Sequence, residues 1–180
     1  SKLNLKMIEN IDKPALSALW PNKKGMSVVL DLGANIECSP KNLIDFSIMG
    51  SSLFKSLYPD DSAKVALLNI GSEEFKGNEI IKETYQQLNQ RNNHDFEFKG
   101  YIEGNQLMNG DVNVIVADGF SGNIALKTAE GTASFITSEL KKTMTGNLIG
   151  KISSLLNISN LKKFKEKFDP RLYNGAIFIG

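Results

Sequence analysis

The chain has 180 residues, 41% apolar and 23% charged, ordinary globular proportions that exclude a disordered, collagenous or low-complexity protein and suffice for one domain, or one domain with an appendage. The single cysteine, Cys38, excludes an internal disulfide framework and suggests a reducing compartment, and the single histidine, His94, excludes multi-histidine metal sites and leaves little room for a Ser-His-Asp triad. The net charge of +1 argues against nucleic acid, but eight cations and only three anions fall between Glu139 and Arg171, a local +5 that implies an acidic partner for that stretch.

Residues 27–31 form a short apolar run before Gly33 and read as a buried strand. Ser39 as N-cap and Pro40 at the first helical position start a helix that carries Leu43, Ile44, Phe46, Ile48 and Leu53 to about Tyr58, where Pro59 stops it. A second strand is expected over 65–70, ending at Gly71, and a helix over 78–90, with Ile80, Ile81, Tyr85 and Leu88 near one face. A third strand is expected over 95–101 and a fourth over 112–117, closed by Asp118-Gly119. A long helix is expected from Asn123 to about Met144. Strands alternate with helices and several are continuous apolar runs, so the fold class is α/β with a largely parallel sheet. No stretch approaches 18 apolar residues, so no span is expected, and residues 1–10 do not read as a secretory leader.

After the break at Thr145-Gly146-Asn147 the pattern changes. Leu148, Ile149, Ile152, Leu155 and Leu156 fall on one helical face, and Leu161, Phe164 and Phe168 fall on another among lysines. This predicts an amphipathic helical hairpin, connected over 157–160 and ended by Asp169-Pro170. The expected organisation is a core over 1–144, the hairpin over 145–169 and a return strand over 170–180. Ser1 stands without an initiator Met, and residues 176–180 read as a buried strand stopped in mid-structure, so a fragment of a longer protein is expected.

Three strand ends carry the same punctuation: Asp31-Leu32-Gly33-Ala34-Asn35; Asn69-Ile70-Gly71, running on to Lys76-Gly77-Asn78; and Asp118-Gly119-Phe120-Ser121-Gly122-Asn123. Glycine lets backbone approach a ligand, a helix start offers unpaired N–H groups to an anion, and Asn can cap a helix or bind a ligand. Each segment alone is an ordinary strand-to-helix turn. Three at the carboxyl edge of one sheet favour a site. Ser121 suggests a nucleophile elbow, but Asn123 stands where that pattern requires glycine. Cys38 has no obvious base and reads as structural. Lys76, between Phe75 and Gly77 before a helix start, could clamp a phosphate together with helix amides, and a solvated surface lysine fits the same pattern.

Asp12-Lys13-Pro14-Ala15-Leu16, Leu30-Asp31-Leu32-Gly33-Ala34-Asn35, Ile48-Met49-Gly50-Ser51, Leu67-Leu68-Asn69-Ile70-Gly71, Lys76-Gly77-Asn78-Glu79 and Asp118-Gly119-Phe120-Ser121-Gly122-Asn123, the last followed by Leu126-Lys127-Thr128, extend over nearly the whole chain. In order and spacing they resemble the bacterial phosphate acyltransferases of the PlsX family. The resemblance implies a three-layer α/β/α sandwich similar to the isocitrate/isopropylmalate dehydrogenases and phosphotransacetylases, usually dimeric. It implies transfer of a fatty acyl group from acyl-[acyl carrier protein] to orthophosphate, giving acyl phosphate for phospholipid synthesis. No metal or organic cofactor is implied. The family's first glycine-rich phosphate segment would lie before Ser1 and its last strands after Gly180, so the fragment is expected to be inactive alone. Phe75 departs from the more polar residue expected there.

On this reading Lys76 holds the phosphate or the developing negative charge, and Asn123, at the start of the long helix, donates to phosphate or oxyanion. Asp31, Gly33, Asn35, Asn69, Gly77, Asn78, Asp118, Gly119 and Gly122 shape the substrate pocket. Leu148, Ile149, Ile152, Leu155 and Leu156 form a membrane-contact face, and the expected location is cytoplasmic and peripheral to the membrane. Expected partners are acyl carrier protein, orthophosphate, the cytoplasmic membrane surface and a second subunit, with no nucleic acid. Two other readings stay open: a non-catalytic module that docks on membrane or carrier protein, and a short-chain phosphotransacetylase using coenzyme A.

Overall fold

The computed structural model describes residues 11–90, 95–168 and 177–180. The elements in chain order are β1 (Ala15–Asn22), β2 (Gly25–Leu30), α1 (Pro40–Leu57), β3 (Lys64–Asn69), α2 (Glu79–Gln90), β4 (Glu97–Glu103), β5 (Val114–Val116), α3 (Gly119–Thr145), α4 (Leu148–Leu156), α5 (Ile158–Phe168) and β6 (Ile177–Ile179). They build one six-stranded sheet in the order β4-β3-β5-β2-β1-β6. The pairs β4/β3, β3/β5 and β5/β2 are parallel; β1 runs antiparallel to both β2 and β6.

The central strands are buried on both faces, which explains their unbroken apolar sequence. Alternate residues serve opposite layers. Val28, Leu30, Val65, Leu67, Val114 and Val116 pack with Leu43, Phe46 and Phe54 of α1 and with Ile81 and Leu88 of α2. Val29, Ala66 and Ile115 face the other way, where Trp20, Ile102 and residues Ala125, Leu126 and Ala129 of α3 close the second core. The expected α/β sandwich with a largely parallel sheet is the fold found.

The structure departs from the sequence expectations at four places. Strand β1 is absent from them. It contains Pro21, which lacks the ladder donor, and it joins β2 through Lys23-Lys24, which carries no hairpin signal. Helix α3 begins at Gly119, four residues before Asn123, because Asp118 caps it: its Oδ1 accepts from Ser121 N at 2.7 Å and its Oδ2 from Ser121 Oγ at 3.0 Å. The strand expected to be buried at 176–180 covers Ile177–Ile179, and Ile177 and Phe178 are exposed; among the described residues β6 pairs with β1 alone.

Beyond α3, the connector expected over 157–160 shrinks to Asn157, whose carbonyl accepts from Leu161 N at 3.0 Å, so residues 158–160 already belong to α5. Asn147 caps α4 through Gly150 N at 2.7 Å, and Ser154 Oγ donates to Met144 O at 3.1 Å, tying α4 back to the end of α3. The apolar face of α4 does not reach the core: Leu148, Ile149, Ile152, Leu155 and Leu156 are all exposed, Leu156 at 81%. Among the described residues, no helix is long and apolar enough to cross a membrane.

Candidate active site

Strands β3, β5 and β2 are adjacent and parallel, so Asn69, Asp118 and Asp31 emerge at the same carboxyl edge of the sheet. The strand-end punctuation does converge. Most of those side chains are engaged in hydrogen bonds that build the loops of this edge.

Asp31 is fully buried and organises its own loop. Its Oδ1 accepts from Leu16 N at 2.9 Å, Gly33 N at 3.2 Å and Ala34 N at 3.0 Å. Its Oδ2 accepts from Asn35 N at 2.7 Å and Asn35 Nδ2 at 2.8 Å. Five donors saturate the carboxylate, so it shapes the site without facing a ligand. Asn35 is likewise committed: its Nδ2 also donates to Pro14 O at 2.7 Å, and its carbonyl accepts from Gly119 N at 2.8 Å.

The glycines at the start of α3 let that helix seat on this loop. A Cβ at Gly122 would lie 1.9 Å from Asp31 O, and one at Gly119 would lie 2.5 Å from Asn35 O. Asn123, in the second turn of α3, donates from Nδ2 to Leu32 O at 3.0 Å, and a Cβ at Gly33 would press on the same amide. One of the two N–H groups of Asn123 is therefore spent on the fold, and no described residue engages the other.

The loop from β3 to α2 is closed from within. Asn69 Nδ2 donates to Gly71 O at 3.2 Å and Lys76 O at 3.1 Å. Gly77 turns at φ +95°, a conformation that favours glycine, with no room for a Cβ beside Asn69 Oδ1. Asn78 Oδ1 accepts from Ile81 N at 2.9 Å and caps α2. Lys76 is the exception in this set. Its Nζ lies 5.6 Å from the centroid of the Phe75 ring, and no described carboxylate pairs with it.

An open cleft of about 750 Å³ lies where α1, α2 and α3 all begin. Ser39, Asn42 and Leu43 line it from α1, Asn78, Ile80 and Ile81 from α2, and Asp118, Phe120 and Ser121 from α3. Of the residues expected in the pocket, only Asn78 and Asp118 line this cleft; Lys76 and Asn123 lie outside its wall. Two lining residues escaped the sequence reading of the site. Lys13 donates from Nζ to Glu37 O at 3.0 Å; it precedes β1, and because β1 runs antiparallel, its amino end falls at the carboxyl edge of β2. Cys38 is buried in the cleft wall. Burial pushes its thiol up to about 11, the Gly119 N–H opposes this, and the Asp31 and Asp118 charges add to it. At neutral pH it is a neutral thiol, not a nucleophile.

Ser121 Oγ is held by its own N-cap carboxylate, and among the described residues no cluster of His, Cys, Asp and Glu could hold a metal ion. The edge therefore offers helix amides, one side-chain amide and a lysine. These are groups that hold an oxyanion and orient a nucleophile brought by a substrate.

The model of the family described as "Fatty acid synthesis protein" matches residues 1–180. The chain is 93% identical over all 180 residues to a phosphate acyltransferase of Pelagibacter ubique (strain HTCC1062), covering 54% of it. It is 41% identical to the phosphate acyltransferase of Maricaulis maris (strain MCS10), covering 99% of this chain and 51% of that one. The chain thus spans about half the length of the curated relatives it matches. Among solved structures, the EutD phosphotransacetylase from Staphylococcus aureus superposes with a TM-score of 0.54 at 15% identity, over 72% of this chain and 45% of that one. A phosphotransacetylase from Streptococcus pyogenes gives the same TM-score at 18% identity, over 72% of this chain and 45% of that one. At these identities the likeness is one of fold.

Proposed function

The chain belongs to the fatty acid synthesis protein family, and on that premise we propose that the whole enzyme transfers a fatty acyl group from acyl-[acyl carrier protein] to orthophosphate, giving acyl phosphate for phospholipid synthesis. The observation that carries this reading is the convergence of three parallel strand ends on one edge that offers oxyanion donors and no nucleophile among the described residues. Orthophosphate is itself the nucleophile. Its oxygen attacks the thioester carbonyl, the carbonyl oxygen becomes an oxyanion, the C–S bond breaks, and the carrier thiolate leaves and takes a proton.

The protein then has only to position phosphate and stabilise charge, and that can supply most of the acceleration. Lys76 is the cation for phosphate, and the unspent N–H of Asn123 is a donor to phosphate or oxyanion. Asp31, Asn35, Asn69, Asn78, Asp118 and the glycines hold the frame. With long-chain acyl carrier protein and phosphate, the whole enzyme should release free carrier far faster than it converts acetyl coenzyme A. The reverse preference would identify a short-chain phosphotransacetylase, and no turnover with either donor would leave a docking module.

The same proposal includes a peripheral place on the cytoplasmic membrane face. Five apolar side chains of α4 exposed on one face, with Lys151, Lys162 and Lys163 nearby in sequence, suit an interfacial anchor on anionic lipid. A second subunit of a homodimer would cover the same face, and the acidic carrier protein suits the same lysines. In liposome flotation the whole enzyme should rise with anionic vesicles, and the Leu155→Glu/Leu156→Glu double variant should not. Equal behaviour of the two proteins would assign the face to the partner subunit.

A further inference from the structure

Resting on the reading of Lys76 given above, we infer that Tyr85 is a positioning residue for the reaction: its hydroxyl fastens the β3–α2 loop in the arrangement that presents Lys76. The base of that loop is held by the Asn69 side chain, and its exit is fixed by the turn at Gly77 and the Asn78 cap. The outer arm, residues 73–75, is exposed. Among the described residues, its one side-chain hydrogen bond to another element is the bond from Tyr85 Oη, in α2, to Glu74 Oε1 at 2.9 Å.

Tyr85 is suited to hold something still because it is held itself. Its ring centroid lies 4.8 Å from that of Tyr101 and 5.6 Å, nearly edge-on, from that of Phe98, both on β4. At Gly100 a Cβ would come within 3.4 Å of the same ring. The ring is thus packed against the sheet while the hydroxyl reaches the loop. Tyr101 offers no substitute: its hydroxyl is buried and has no partner among the described residues. Burial, and then the Glu74 carboxylate, raise the pKa of the Tyr85 phenol, so it stays protonated and keeps donating across the neutral range.

The link from this bond to Lys76 is short. Lys76 follows Glu74 by two residues, and Lys76 N donates to Glu73 O at 2.9 Å, closing the outer arm into one turn. Beyond its place over the Phe75 ring, the Lys76 ammonium has no described anchor, so its position is that of its backbone. Releasing Glu74 lets the turn move and takes the cation with it.

The test uses the whole enzyme. Tyr85→Phe keeps the ring and removes only the donor. It should raise the phosphate KM about fivefold, the worth of one ordinary hydrogen bond. Glu74→Ala should do the same, the double variant should be no worse than either single one, and Glu74→Gln, which still accepts, should restore the parent KM. Amide exchange should quicken at residues 73–77 and stay unchanged in the rest of α2. An unchanged KM in Tyr85→Phe, or additive effects in the double variant, overturns the inference if Lys76→Ala is inactive. If Lys76→Ala turns over normally, the reading of Lys76 fails instead, whatever the exchange data show at the loop.

Discussion

In the Gly122→Ala variant the start of α3 no longer seats on the sheet edge, and the protein loses on the order of 3 kcal/mol or more of stability. The added Cβ would stand 1.9 Å from Asp31 O, and ordinary contact begins at 3.4 Å, so helix or loop must retreat by about 1.5 Å. Neither can do so freely. The obstacle is backbone, not the end of a flexible side chain. The retreat stretches Gly119 N to Asn35 O, now 2.8 Å, and Asn123 Nδ2 to Leu32 O, now 3.0 Å. The same helix contains its own control. A Cβ at Gly131 meets nothing within 4 Å, so Gly131→Ala should gain roughly 0.5–1 kcal/mol from helix propensity alone. Denaturant unfolding of both variants decides the matter: a Gly122→Ala midpoint equal to that of the parent would refute the seating.

Lys76→Ala should lose about 10²–10³ in turnover, the usual consequence of removing one charge-stabilising donor, and should melt like the parent. The second half follows from its surroundings, because no described carboxylate pairs with it and its ammonium lies over the exposed Phe75 ring. Asn123→Ala should lose a similar factor but also about 1 kcal/mol of stability, since it gives up the bond to Leu32 O. The two variants therefore separate a residue that serves only the site from one shared between site and fold. Single-turnover release of carrier thiol, read beside thermal melts, measures both. Near-normal turnover of Lys76→Ala would remove the lysine from the proposed site.

The layered fold was legible where local chemistry and burial agree. Ser39-Pro40 starts α1 by capping and by a preset φ, and Val28, Val29 and Leu30 announce a strand buried on both faces. Strand β1 was hidden because its identity rests on its partners β2 and β6, and Pro21 argues locally against it. At the site, the sequence carried the position of the polar residues but not their commitments. Asp31 looks the same in a string of letters whether it faces a ligand or five backbone and side-chain donors. Asp118 caps α3 as well as lining the cleft, and that cap places the helix start at Gly119 and not at Asn123. Lys13 could not be placed without knowing that β1 runs against its neighbour.

The pairing of β1 with β6 bears on the order in which the molecule assembles. Ser17 Oγ donates to Ile177 O at 3.0 Å across 160 residues of sequence, and Ala15, Leu16 and Ser17 have their partners in Ile179, Phe178 and Ile177. The other neighbour of β1 is β2, joined to it by a two-residue turn. One side of β1 can thus form within microseconds of its synthesis, while the other waits for a loop closure of the greatest span in the sheet. Until residues 177–179 are available to it, that side of β1 is an open edge that carries unpaired backbone groups.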